Sequence, residues 1–278
     1  VIFFFLWGLC YFAIFKFSPF SSLKKGQLLF LKIFDIEEEL YCGQIPGIYA
    51  LEEYKFFGTI FHELLEYSRV FGLPPNSFIP RLRVYLGRDL RFEKEVEKIF
   101  WEGMAQFLLI FIISWAFKFY AATIIPSSTN YWALILQISG PISFVLAFFF
   151  LRKQILLPFS PYFGAYYKLW ALLKVGCSTG EILGKSKVLE LRPKASALKQ
   201  IHRKIKRPLK SWEQQGTPIA PLIELVMEEL WEVYDQEFQR FHKMLKIISF
   251  LILAFFYLGA YFMLVWGSLA PFLIDLEG

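Results

Sequence analysis

The densest run of side chains able to do chemistry lies between positions 199 and 210. Lys199, His202, Arg203, Lys204, Lys206, Arg207 and Lys210 crowd into it, with Leu198, Ile201 and Ile205 at helical spacing on the opposite face. A basic helical face of this kind can dock an acidic protein surface, contact anionic lipid headgroups, or be plainly solvated. The sequence leaves these three readings open. If the face docks a partner, Lys199, Arg203, Lys204, Lys206, Arg207 and Lys210 are the residues expected to carry it. Nucleic acid is not expected, because no aromatic interleaving or base-reading module accompanies the charges. Pro208 is expected to bend or end the helix.

Other chemical motifs fail on their spacing. His62-Glu63-Leu64-Leu65-Glu66 begins like a zinc-protease helix but has Glu66 where the second histidine must stand. The run Gly180 to Ser186 ends in Gly-Lys-Ser, yet a phosphate loop would need a glycine at 179, which is Thr179. Gly176-Cys177-Ser178-Thr179-Gly180 has the Gly-x-Ser-x-Gly spelling, but no nucleophile elbow is expected, since residues 169–175 before it read as a helix and not as the strand such an elbow needs. Carboxylates at helical surface spacing are read as solvated faces. The expectation is a protein that is not an enzyme and uses no cofactor or metal. Cys10, Cys42 and Cys177 have no paired spacing and are read as small hydrophobes.

The elements that must position the basic run are set by hydropathy. Over 278 residues the chain is 56% hydrophobic with a mean hydropathy of +0.45, above the soluble norm. The fold class expected is an all-α membrane protein with about four transmembrane helices and two cytoplasmic helical bundles. Residues 1–15 are apolar and short for a full span, so part of that segment is read as missing. Residues 16–103 form a first polar region, residues 104–151 a transmembrane hairpin, and residues 152–246 a second polar region. The last span covers 247–273. The first polar region carries 12 basic against 13 acidic residues, and the second 17 against 9. Lys118, in the hairpin, is expected to snorkel toward the tip-side interface, with a functional role inside the membrane as the alternative. The hairpin tip around Ser127–Asn130 has no charge, while Arg152, Lys153, Lys243 and Lys246 flank spans. The positive-inside rule therefore puts both polar regions in the cytoplasm.

Gly216-Thr217-Pro218 marks a helix start, with Thr217 as cap and Pro218 as first helical residue. From there a stripe through Ile223, Val226, Leu230, Tyr234, Phe238, Phe241, Leu245 and Ile248 runs into the last apolar stretch. One helix continuous into the membrane is expected, with a kink near Lys243–Lys246 as the alternative. Gly72-Leu73-Pro74 precedes a similar helix and span, which hints at an internal repeat.

Residues from about Tyr166 to Pro271 resemble the F-domain of the inner-membrane platform proteins of type II secretion and type IV pilus systems, especially the shorter Tad-pilus members. The likeness is carried by Leu169-Trp170-Ala171-Leu172-Leu173-Lys174-Val175-Gly176-Cys177-Ser178-Thr179-Gly180-Glu181, by the basic helix, and by Gly216-Thr217-Pro218-Ile219 before a long helix into a span. Gly176, Ser178 and Glu181 are its first structural turn, Ser178 and Glu181 having capping-box spacing. Gly216, Thr217 and Pro218 are its second. Val175 replaces the family's alanine, its second glycine-rich turn is absent, and the first half matches poorly. The resemblance implies a platform in the bacterial inner membrane coupling a cytoplasmic ATPase to pilin or pseudopilin assembly. Its implied partners are that ATPase, the pilins, a related platform subunit or a second copy, and membrane lipids. The alternative function is a small membrane transporter or channel subunit.

Overall fold

A computed structural model of the chain describes residues 21–42, 51–71, 78–123, 131–176, 178–193, 196–216 and 218–274. The segment 1–15, the Gly72-Leu73-Pro74 break, the hairpin tip, Cys177 and Thr217 lie outside the described residues. Every regular element among the described residues is helical: α1 (Ser21–Tyr41), α2 (Phe57–Phe71), α3 (Ile79–Ala122), α4 (Tyr131–Leu151), α5 (Ser160–Val175), α6 (Thr179–Ser186), α7 (Ser196–Gln215), α8 (Ala220–Ile252) and α9 (Gly259–Ile274). Three runs are long and apolar enough to cross a membrane: Ile79–Tyr120, Tyr131–Lys174 and Ala220–Trp266. The protein is an all-α membrane protein.

The chain divides into two compact units. One holds residues 17–95 and 156–238, so both polar regions fall within a single unit rather than one in each. Its core is aromatic. Trp231 has its ring 4.3 Å from that of Phe163 and 5.8 Å from that of Phe92, stacked on it. Its Nε1 donates to the Tyr167 hydroxyl at 2.5 Å. Arg88 lies over the Trp231 ring, 4.9 Å from its centre. These pairs join residues far apart in sequence, so the two polar regions share one core.

The other unit holds residues 96–155 and 239–278. Phe100, Phe107, Phe144 and Phe148 fill its centre at 0–1% exposure. Gly103 leaves room for the Phe144 ring: a Cβ there would come within 2.3 Å of it. Outward, Leu109, Phe117, Leu146, Phe250, Phe262 and Trp266 are each more than half exposed. Hydrocarbon is the solvent that makes such a surface stable. The fully buried Gln137 on α4 accepts a hydrogen bond from Trp115 Nε1 at 2.7 Å and donates one to Ser114 Oγ at 2.8 Å. Lys118 lies over the Trp115 ring, 4.9 Å from its centre.

The helix runs through Lys243–Lys246 without a kink, as expected, and an irregularity falls later, as a π turn at Leu253–Leu258. Pro208 does not end its helix: it lies inside α7, which continues to Gln215. Pro141 likewise lies inside α4.

Candidate functional site

The basic face is built by α7. Leu198, Ile201, Ile205 and Leu209 turn inward at 0–1% exposure, and each fully buried aliphatic side chain contributes about 1.5–3 kcal/mol. That anchoring decides which face is left over. Lys199, Arg203, Lys206 and Lys210 recur at steps of four and three on the exposed side, flanked by Lys204 and Arg207, also exposed. The helix thus brings together all six cations expected to carry partner binding. Lys204 is already engaged, pairing with Glu229 on α8.

His202 does not belong to that face. It is buried at 7% exposure, and its Nδ1 has no hydrogen-bond partner. Burial, helped by the positive charge of Lys206, pushes its pKa below the ordinary histidine value. Its position next to Ile201 puts it at the edge of the apolar stripe. Sequence reading counted it with the cations because histidine sat among them.

The two turns around α7 are partly as read. Gly176 ends α5 in the left-handed region with φ 74°, its N–H bonding to the Leu173 carbonyl. Gly216 follows α7 with φ 67°, its N–H donating to the Trp212 carbonyl at 2.9 Å. Ser178 stands at the N-cap of α6 but makes no side-chain capping bond. Glu181 pairs instead with Lys185 at 2.6 Å, four residues on, so the capping box is not formed. Pro218 precedes the helix: α8 starts at Ala220, and the position of Pro218 as first helical residue is corrected by two. Thr217 lies outside the described residues.

Two charged clusters escaped sequence reading. Lys55 stands just before α2 with φ 46° and reaches two buried carboxylates, Asp89 at 2.7 Å and Glu93 at 2.8 Å. Tyr54 donates to Asp89 Oδ2 at 2.6 Å. Burial works against the Lys55 ammonium, but Asp89 and Glu93 outweigh it and hold its pKa above the ordinary lysine value. Burial, reinforced by Asp89, pushes the Tyr54 phenol up. The second cluster gathers on Glu224, which pairs with Arg81 and with Lys174 at 3.4 Å, and accepts from Trp170 Nε1 at 3.1 Å. Both clusters fasten α3 to neighbouring elements. Their one local signal is that Asp89 and Glu93 stand four apart on the apolar face of α3, where carboxylates need partners. Among the described residues no group of three or more His, Cys, Asp or Glu is placed to hold a metal ion. His62 is exposed, and the neighbouring Glu63 takes the ammonium of Lys168 at 2.8 Å.

No family model matches the chain, and neither a curated protein nor a solved structure does.

Proposed function

We propose that the protein is a non-enzymatic platform of a pilus or type II secretion-like machine in the bacterial inner membrane, coupling a cytoplasmic ATPase to pilin assembly. The observation that supports it best is the helical run from Ala220 to Ile274, through α8, the π turn and α9. The run starts among the residues of the polar unit and ends among the membrane spans. α3 makes a run of the same kind over Ile79–Ala122. Mechanical coupling needs a stiff element shared by a water-facing bundle and a span, and a helix held by its own hydrogen bonds supplies one. The exposed cations of α7 then receive the acidic surface of the ATPase.

The test is charge reversal on that face. A variant with Arg203, Lys206, Arg207 and Lys210 all changed to Glu leaves the buried stripe and the Lys204–Glu229 pair intact. It is expected to insert and melt like the parent but to lose a hexameric ATPase that co-purifies with the parent in detergent. The parent's association is expected to weaken with salt, since exposed charges are screened beyond about 10 Å at roughly 0.1 M ionic strength. Unchanged co-purification would remove α7 as the docking face, and a parent that carries no ATPase would remove the platform. A transporter or channel subunit is the second reading, favoured by polar Gln137 and Ser114 within the spans; against it, both ends of the Gln137 amide are already bonded.

A further inference from the structure

Within the membrane-spanning unit a groove of about 260 Å³ opens between residues 99–106 of α3 and residues 242–253 of α8 and the π turn. Its polarity is graded along α8. His242 and Lys246, four residues apart, stand at one end. Ser249 follows at mid-depth, buried at 7% exposure, and its Oγ has no hydrogen-bond partner. Phe250 and Leu253 then carry the groove into the uncharged run that begins at Ile247. Across from them stand Glu102 and Gln106 of α3. A second cleft, lined by Gln239, Arg240 and Lys243, shares His242 and Lys246 with the first.

We propose that this groove holds an anionic glycerophospholipid. The order along α8 of cation, hydroxyl and hydrocarbon is the order of phosphate, glycerol ester and acyl chain in a lipid at the membrane boundary. Arg240, Lys243 and Lys246 put three formal positive charges within two turns, and each basic residue near a charged headgroup strengthens binding about fivefold. The carboxylate at the rim, Glu102, faces Lys98 at 3.7 Å, which reduces its repulsion of a phosphate. A soluble anion would use the upper end of the groove and gain nothing from Phe250 and Leu253. The orphan Ser249 hydroxyl is a buried polar group whose cost a bound ester oxygen would relieve. Such a site needs no ATPase or pilin, so it stands apart from the platform function.

The experiment uses the full chain purified in mild detergent, titrated in native mass spectrometry with phosphatidylglycerol and phosphatidylethanolamine of the same acyl chains. Phosphatidylglycerol is expected to bind several-fold more tightly. Lys246→Gln should weaken it about fivefold and Lys246→Arg should restore it, while Lys25→Gln at an exposed position of α1 changes nothing. Ser249→Ala removes a buried hydroxyl without a partner, so it is expected to keep the fold and to lower the rise in Tm that phosphatidylglycerol produces. This second variant decides the matter if Lys246→Gln does not fold. Equal binding of the two lipids would overturn the proposal, as would equal loss in Lys25→Gln. Full displacement of the lipid by glycerol phosphate would also overturn it, because the site would then be one for a soluble anion.

Discussion

His202 sits by sequence in a run of cations, yet its imidazole is buried with Nδ1 unpartnered. Protonating it there would bury a charge beside Lys206, so its pKa is depressed in the folded chain. The unfolded chain then binds the proton first as pH falls below about 6.5, the ordinary histidine value. Stability is unaffected above that pH and is lost progressively as pH drops from there through the folded value. Thermal melts of the detergent-solubilised protein between about pH 5 and 8 should show this decline. In His202→Phe the decline should be shallower, the remainder belonging to the other titrating groups. An identical slope in parent and variant would mean that the imidazole is not held neutral. Lys55 shows the opposite balance. Its burial is outweighed by Asp89 and Glu93, so its charge is kept, and losing either carboxylate would leave the ammonium half satisfied.

The turn between α7 and α8 fixes where the long helix begins, and Gly216 is its critical residue. At φ 67° a side chain is strained, and a Cβ there would meet nothing within 4 Å. The penalty for a substitution is therefore one of backbone conformation and not of packing. Gly216→Val is expected to destabilise the polar unit by about 1–2 kcal/mol, the cost of a left-handed residue with a β-branched side chain. Gly216→Asn should cost less, because asparagine tolerates that region. A melt in which both variants match the parent would show that the turn relaxes freely. Such helix boundaries were only partly legible in the sequence. The stripe from Ile223 to Ile248 and the apolar run after Lys246 define one long helix from periodicity and hydropathy alone. The π turn at Leu253–Leu258 has no local signal, since an inserted turn changes the ladder without changing composition. The capping box failed because Lys185 sits within reach of Glu181, and that competition is visible only once the helix is built. The charged clusters were invisible for a related reason: Lys55 and Asp89, or Arg81 and Glu224, are neighbours in space but 34 and 143 residues apart in sequence.

At the scale of the whole chain, two kinds of surface are kept apart. Outward hydrocarbon belongs to the unit that holds 96–155 and 239–278, and the cations of α7 belong to the unit that holds 17–95 and 156–238. If residues 104–151 cross the membrane twice, the two stretches of the polar unit lie on the same side of it. Twenty-nine of the thirty basic residues fall in the two polar regions, whereas the tip between the spans has none. Basic residues close to span ends orient a chain far more strongly than those within long domains. Arg152, Lys153, Lys243 and Lys246 are placed there, and all four favour the cytoplasm for the polar unit. Single-cysteine labelling of intact cells tests this, in a background with Cys10, Cys42 and Cys177 removed. A membrane-impermeant maleimide is expected to mark Ser128→Cys at the tip and to spare Gln214→Cys at the exposed end of α7 until the membrane is opened. Reversed labelling would place the basic face outside the cell membrane, away from any ATPase, and the platform function would fall with it. Labelling of both sites in intact cells would mean that the spans do not form a hairpin, and the assignment of 104–151 as two crossings would have to be abandoned.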